Sequence, residues 1–397
     1  MSQTVLLEDV CIQITDGAHW SPPSRNEGKP MASVKDMSDY NFKIESCRKI
    51  SEKDYQELVR SGCQPEKNDV LIAKDGSYLK HIFVFDGQQD IVLLSSIAII
   101  KPNLKIIDPY YLAYYVRNQR NNDDMSQYVS GAAIPRIVLK NFGRLPVKLP
   151  DLALQRKIVS ILRSLDEQIE LNQQTNKTLE QIGRVLFKHY FIDNPEAKTW
   201  PTGKLGDFLK ILESGSRPKG GAIATGIPSI GAENIEGLGI YDYSKEKYIS
   251  RTYASNINRG RIESEDVLLY KDGAYVGKKS MFMDNFPHKI CFVNEHVFRL
   301  RTNEKLPSQP YLYFWLDQQS ITKMIIDSGI KAAQPGINQE NVKNLPILIP
   351  PIGRLKDFNQ DLKPFLKNLF LNANQIRKLT LIRDLILPRL ISGRIKI

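Results

Sequence analysis

Two stretches of the chain match at a constant offset of 200 residues, from 135 to 335. Pro135 pairs with Pro335, Asn141 with Asn341, Leu145-Pro146 with Leu345-Pro346, and Pro150 with Pro350. Each stretch, Ala133 to about Phe191 and Ala333 to about Ile391, opens on a proline-bearing loop, passes through a short apolar strand ending in proline, and becomes amphipathic. In the first, Ile158, Leu162, Leu165, Ile169, Asn172, Asn176, Leu179, Gly183 and Leu186 are spaced alternately four and three apart, the seam of a coiled coil. The same offset gives Phe358, Leu362, Phe365, Leu369, Asn372, Ile376, Leu379, Arg383 and Ile386 in the same phase. The pattern predicts two long helices of about 35–40 residues, roughly 50–60 Å each at the α-helical rise.

An exposed helix of that length needs a partner for its apolar stripe. The simplest partner is the other helix. Asn172 and Asn372 hold equivalent seam positions near the middle, where buried asparagine sets register at some cost in stability. An antiparallel pair would set whatever precedes each helix at opposite ends and act as a spacer; a parallel pair would bring both to one end. The link from Asp193 to Gly203 is short and holds two prolines, which is compatible with the second half folding back near the end of the first helix.

With 397 residues the chain suits two or more domains. The segments before the two helices follow one order. Leu7-Glu8-Asp9-Val10 corresponds to Leu205-Gly206-Asp207-Phe208, and Gly28 and Pro30 to Gly226 and Pro228. Asp69-Val70-Leu71 with Lys74-Asp75-Gly76 corresponds to Asp266-Val267-Leu268 with Lys271-Asp272-Gly273; Tyr78 matches Tyr275, and Tyr110–Tyr115 resembles Tyr311–Leu316. Val70–Ala73 reads as a strand, Asp75-Gly76 as a tight turn, His81–Phe85 as the returning strand, Ile91–Ile100 as one more strand, and 109–120 as a helix that tolerates Pro109 in its first turn. Each head is therefore a mixed α+β domain. Shared scaffold residues with divergent loops between them suggest two copies of one tool aimed at two targets.

A formal net charge of +11 points to a polyanionic partner such as nucleic acid. Enzyme signatures do not occur: there is no HExxH, no GxxxxGK[ST] and no GxSxG. Ser21-Pro22-Pro23-Ser24 lacks the aromatic fourth residue of an amino-methyltransferase motif, and no glycine-rich cofactor loop accompanies it. No catalytic, cofactor-binding or metal-ligating residue is expected. Cys11, Cys47, Cys63 and Cys291 form no CxxC, which fits free thiols in a reducing compartment. The start lacks the pattern of a signal peptide, and the most apolar run, 91–100, is about half the length a membrane span needs. Contacts to DNA are expected from basic and aromatic side chains on loops. In the first head these are Lys74, Tyr78, Lys80 and Arg136; in the second, Arg217, Lys219, Lys271, Tyr275, Lys278, Lys279 and Lys331. Lysines serve mostly on phosphates, while arginine can read guanine.

Head, helix, head, helix resembles the specificity (S) subunit of type I restriction-modification systems. The likeness is carried by Ile14-Thr15-Asp16-Gly17-Ala18-His19, by Ser214-Gly215-Ser216-Arg217-Pro218-Lys219-Gly220, and above all by Leu145-Pro146-Val147-Lys148-Leu149-Pro150 followed by Gln155, Ile158 and Leu162. Leu355 stands where a second copy of Gln155 would be. The resemblance implies an α+β chain with two target recognition domains alternating with two long helices that pair as an antiparallel coiled coil. The expected bounds are 1–150, helix 151–192, linker 193–203, 204–350 and helix 351–397. It implies a non-catalytic, cytoplasmic subunit that reads double-stranded DNA as two half-sites, with the helices setting the gap. Two methyltransferase (M) subunits would dock on the helices, and restriction (R) subunits would join them. S-adenosylmethionine, ATP and Mg would belong to those partners. The competing readings are a stand-alone DNA methyltransferase or nuclease with unrecognised motifs, and an assembly scaffold that reads no DNA.

Overall fold

The β-branched run of the first head becomes buried strands because both faces are covered. Strands Cys11–Asp16, Ile97–Pro102, Val70–Ala73 and Ile82–Val84 form, in that order, an antiparallel sheet. A second sheet sets Lys29–Ala32 between Arg48–Ile50, antiparallel, and Val92–Leu93, parallel. Two expectations change here. Residues 91–100 form two strands in two sheets, Val92–Leu93 and Ile97–Pro102, with the chain turning between them. Asp75-Gly76 does not close a tight hairpin, since Ile72 pairs with Ile82 and leaves a wider loop.

The computed structural model describes residues 3–76, 79–119, 127–130, 136–330, 336–395 and 397. The proline loops at Pro135 and Pro335, with Tyr78 and Lys331, lie outside the described residues.

The second head repeats the plan. Strands Leu209–Ser214, Val297–Thr302, Val267–Tyr270 and Lys279–Met281 make the four-stranded sheet; Lys247–Ile249, Ile227–Ile230 and Phe292–Val293 make the three-stranded one. It also holds a small hairpin, Ile235–Gly237 with Ile240–Tyr241, and a helix, Gln319–Ile330, neither of which has a counterpart among the described residues of the first head. Each head closes where its long helix begins. Gln3–Leu6 pairs with Pro146–Leu149, and Thr202–Lys204 with Pro346–Leu348. Tyr111 donates its hydroxyl to the Lys148 carbonyl at 2.8 Å, and Tyr311 donates to Leu348 at 2.8 Å. The aromatic helices therefore align Tyr111 with Tyr311, one residue away from the Tyr110 match the sequence suggests.

The arm helices run Leu152–Phe191 and Ile352–Ile391, 40 residues each. Asp151 caps the first by accepting from the Leu154 amide at 2.8 Å. Gly393, at φ 75°, takes the left-handed turn after the second. By contacts the chain divides into two units, Met1–Glu170 with Leu379–Ile397, and Leu171–Lys378, so each unit holds one head and stretches of both helices. Within each unit the helices pair antiparallel. In the first, Arg383 meets Asp166 at 2.8 Å. In the second, Asn372 meets Asn176 at 3.0 Å and Tyr190 meets Asp361 at 2.6 Å, so numbers fall along one helix as they rise along the other.

The seam is right in outline and drifts in detail. Ile158, Leu162, Ile169, Asn172, Phe358, Leu362 and Leu369 are buried. Leu165, Leu186, Phe365 and Ile386 are only half-buried, and the next residues, Asp166, Phe187, Leu366 and Leu387, go inside instead. Leu179 and Leu379 are half-buried. A helix of 3.6 residues per turn slides against a 3.5-residue seam, which accounts for the shift. The polar pair is also displaced: antiparallel packing brings Asn372 against Asn176, not against its sequence equivalent Asn172.

Gln155 is fully buried and tethers the first head to the helix. Its Oε1 accepts from the Asp108 amide at 2.8 Å, and its Nε2 donates to the carbonyls of Pro150 at 2.8 Å and Ile106 at 3.1 Å. In the second copy Leu355 is buried in apolar contacts, and the corresponding loop is held by Ser308 donating to Asn359 at 2.6 Å.

Candidate nucleic-acid interface

In each head, one corner gathers three loops at one end of the strands of the four-stranded sheet. The loop after the first sheet strand starts at Gly17 or Gly215. A Cβ at either would overlap a backbone carbonyl, of Leu93 or of Val293, so only glycine lets the two chains approach. The Lys-Asp-Gly corner comes next. Lys74 donates its amide to the Ser96 carbonyl at 3.0 Å and accepts from Ile137 at 3.0 Å; Lys271 repeats this with His296 at 3.0 Å and Ile337 at 2.7 Å. The third piece is the returning chain, where Asp75 bridges Arg136 and Asp272 bridges Gly336.

The backbone frame is the same in both heads while its side chains differ. In the first, Asp16 is buried and faces Lys74 at 3.3 Å and the exposed His19 at 3.0 Å. Lys74 also reaches Asp75 at 3.4 Å. In the second, Lys271 pairs with Asp272 at 2.9 Å, Asp272 with His296 at 2.7 Å, His296 with Glu295 at 3.4 Å, and Glu295 with Arg217 at 3.8 Å. The arrangement is a run of neighbouring polar and charged side chains, hydrogen-bonded at Lys271–Asp272–His296 and looser beyond, at a partly exposed rim. It suits recognition of polar edges and phosphates, and among the described residues no group of three His, Cys, Asp or Glu is placed to hold a metal ion.

These positions sort the expected contacts. Arg136, Arg217, Lys219, Lys80 and Tyr275 are exposed. Tyr275 and Lys278 belong together: the ammonium lies 4.6 Å from the ring centre and meets Glu236 at 3.2 Å. Two of the expected contacts are not free at the surface. Lys74 is buried between two carboxylates, Asp16 and Asp75. Lys279 lies under the second head's helices, bonded to Asp317 at 3.4 Å and Thr322 at 3.1 Å, and burial lowers its pKa against the pull of Asp317. Lys271 stands between these cases, partly exposed beside Asp272. His19, Trp20, Glu295 and His296 also stand at these corners and are not among the expected contacts. The first two carried a signal, polar and aromatic residues directly after a required glycine, and both are exposed. Glu295 and His296 carried none.

All four cysteines are free, and no described helix is long and apolar enough to cross a membrane. The family model for the type I restriction modification DNA specificity domain matches residues 3–181 and again 197–381. The chain is 24% identical over 307 residues to the specificity subunit of the type I restriction enzyme MjaIX of Methanocaldococcus jannaschii, covering 72% of this chain and 69% of that protein. It is 22% identical over 404 residues to the specificity subunit of the HindI enzyme of Haemophilus influenzae, covering 83% and 87%. The crystal structure of a type I S subunit from M. genitalium superposes with a TM-score of 0.59 at 14% identity, over 98% of this chain and 96% of that one, which shows the shared fold. With two family matches falling on the two copies of one head-and-helix plan, the chain belongs to the type I restriction-modification DNA specificity family.

Proposed function

We propose that each head reads one half of an interrupted, asymmetric DNA site for a type I restriction-modification complex, and that the paired helices set the gap between the halves. The chain is the recognition component and not the catalytic one. The observation that carries the reading is the repeated corner with unlike side chains: Asp16, Ser96 and Arg136 in one head stand where Ser214, His296 and Gly336 stand in the other. One backbone frame with two chemistries fits two different half-sites. The recognition domains are taken as 1–150 and 204–350, with the helical arms as 151–192 and 351–397.

The partners are double-stranded DNA, two methyltransferase subunits and restriction subunits, all cytoplasmic. S-adenosylmethionine, ATP and Mg would be bound by those subunits. Support for docking on the arms comes from apolar side chains left exposed at equivalent places. Leu171 and Leu371 are 56% and 50% exposed, and Val185 and Leu385 are 67% and 58% exposed. A repeated patch fits two copies of one partner.

The deciding experiment replaces residues 204–350 with the head of another family member and maps methylated bases in cells carrying the partner subunits. One half of the site should change while the other stays. A change in both halves, or in neither, would overturn the division of labour.

A further inference from the structure

The two head-to-arm junctions are built at equivalent positions from opposing chemistry. In the first unit, Asp166 of the arm is 8% exposed and is a hub. It accepts from Tyr114 at 2.8 Å, Tyr40 at 3.2 Å and Arg117 at 3.3 Å, all of the first head, and from Arg383 of the other arm at 2.8 Å. Arg117 also donates to the Ile82 carbonyl at 2.9 Å, and Arg383 pairs with Asp384 at 2.8 Å. Burial would lower the Arg383 pKa, yet the Asp166 carboxylate outweighs it and raises the value.

Shifting each number by 200 gives the second unit's junction. Tyr114 becomes Phe314, Arg117 becomes Asp317, Asp166 becomes Leu366, Arg383 becomes Gly183 and Asp384 becomes Arg184. Each of these five polar residues is lost or reversed in charge. Gly183 is needed because a Cβ there would lie 2.5 Å from the Phe314 ring. Leu366 is buried in the same core. The head's charge is now Asp317, which accepts from Arg184 of the arm at 2.9 Å and from Lys279 at 3.4 Å.

We propose that these junctions are position codes, so that the first head seats only on the Asp166/Arg383 junction and the second only on the Gly183/Leu366 junction. Seating the first head on the second junction would turn the Tyr114 hydroxyl toward apolar Leu366 and set Arg117 against Arg184. The reverse would drive the Phe314 ring into Arg383 and set Asp317 against Asp166 and Asp384. In the first error Arg117 loses Asp166 and meets a like charge; in the second Asp317 keeps Lys279 but loses Arg184 and faces two carboxylates, and such mismatches discriminate between similar surfaces. Building on the two-head reading, the consequence is that a head exchanges between related chains only at its own position. The order of half-sites then follows from junction chemistry as well as from chain order.

The test needs no DNA, so its outcome is separate from that of the reading function. In the full chain, residues 202–350 are copied into the place of residues 3–150, giving the second head twice. Thermal unfolding is compared with the native first junction and with D166L/R383G/D384R. Recoding should raise the midpoint by roughly 5 °C or more; an equal or lower midpoint overturns the proposal. Should neither chimera fold, Tyr114→Phe decides in the native chain. It should lower the midpoint by a few degrees with Asp166 and Arg383 present and leave it unmoved in D166L/R383G. The same drop in both backgrounds overturns the proposal.

Discussion

Asn372 donates its side-chain amide to Asn176 Oδ1 at 3.0 Å across the paired helices, and Asn176 in turn donates to the Leu369 carbonyl at 3.0 Å. Asn176 is only 6% exposed, while Asn372 is half-buried, so the pair sits at the margin of the seam with one partner inside. Asn176→Leu removes one partner and leaves the Asn372 amide facing an apolar group. The cost should be about 1–3 kcal/mol. N176L/N372L should recover most of it, since no polar group is then stranded. Urea unfolding of the three variants checks this, and a double variant no better than the single one would exclude the amide pair as the cause.

Gln155 makes three hydrogen bonds from a fully buried position. Gln155→Leu copies the residue at 355 but leaves the Asp108 amide and two carbonyls behind. It should destabilise the first unit by about 2–4 kcal/mol, as several buried groups lose their partner together. Leu355→Gln in the second unit should also destabilise, because no equivalent set of loop groups awaits it. Hydrogen exchange on the two heads would locate each loss; a neutral Q155L would show that water replaces the side chain.

Lys74 and Arg136 should separate stability from DNA binding. Lys74 is 9% exposed at its side chain between Asp16 and Asp75. Lys74→Ala leaves Asp16 buried without its cation and should cost about 3–5 kcal/mol of folding. Arg136 is exposed at the rim, so Arg136→Ala should leave unfolding unchanged. If it touches a phosphate, binding weakens and the salt slope falls by about 1. Filter binding across a salt series reads both. Loss of DNA binding in K74A at full stability would return Lys74 to the interface.

Acid should loosen the second head through Glu246. This carboxylate is 8% exposed and accepts from the Tyr248 hydroxyl at 2.6 Å and from His288. Burial pushes its pKa up, but those hydrogen bonds outweigh burial and leave it below the ordinary 4.5. A depressed folded value means the stabilisation is complete above 4.5 and fades as pH falls through the folded value. Glu246→Gln should therefore be less stable than the native chain at pH 7, with the gap closing in acid. A gap that stays constant down to the acid transition would assign the effect to packing instead.

The frame was legible because it rests on periodicity and repetition. The four-three spacing from Ile158 survives at Phe358, and it located both helices even though the second runs through Pro364 and Pro388, residues that ordinarily break helices. What escaped was set by three-dimensional register. Asp166 lies one residue off the expected seam because the helix drifts, and nothing local marks it as the meeting point of four donors. Lys74 and Lys271 recur in sequence, yet recurrence served the corner's geometry, and the two lysines end in different surroundings. Glu295 and His296 reach the rim only through a turn between two sheets, which no single-strand pattern reveals.

The exposed apolar residues of the arms give the last prediction. Exposed Leu171 and Val185 and the half-buried Ile182 fall within about 60° of one another at 100° per residue, and the exposed Leu371, Ile382 and Leu385 repeat that face. Leu371, Ile382 and Leu385 are 50%, 48% and 58% exposed, so replacing them removes little internal packing. L371S/I382S/L385S should leave the chain's own unfolding nearly unchanged. It should also weaken assembly with one methyltransferase subunit, while L171S/I182S/V185S weakens assembly with the other. Native mass spectrometry of the reconstituted complex would count the copies retained. One subunit lost per triple variant, and both lost on combining them, fits two equivalent docking faces; retention of both subunits in the combined variant would place the docking surface elsewhere.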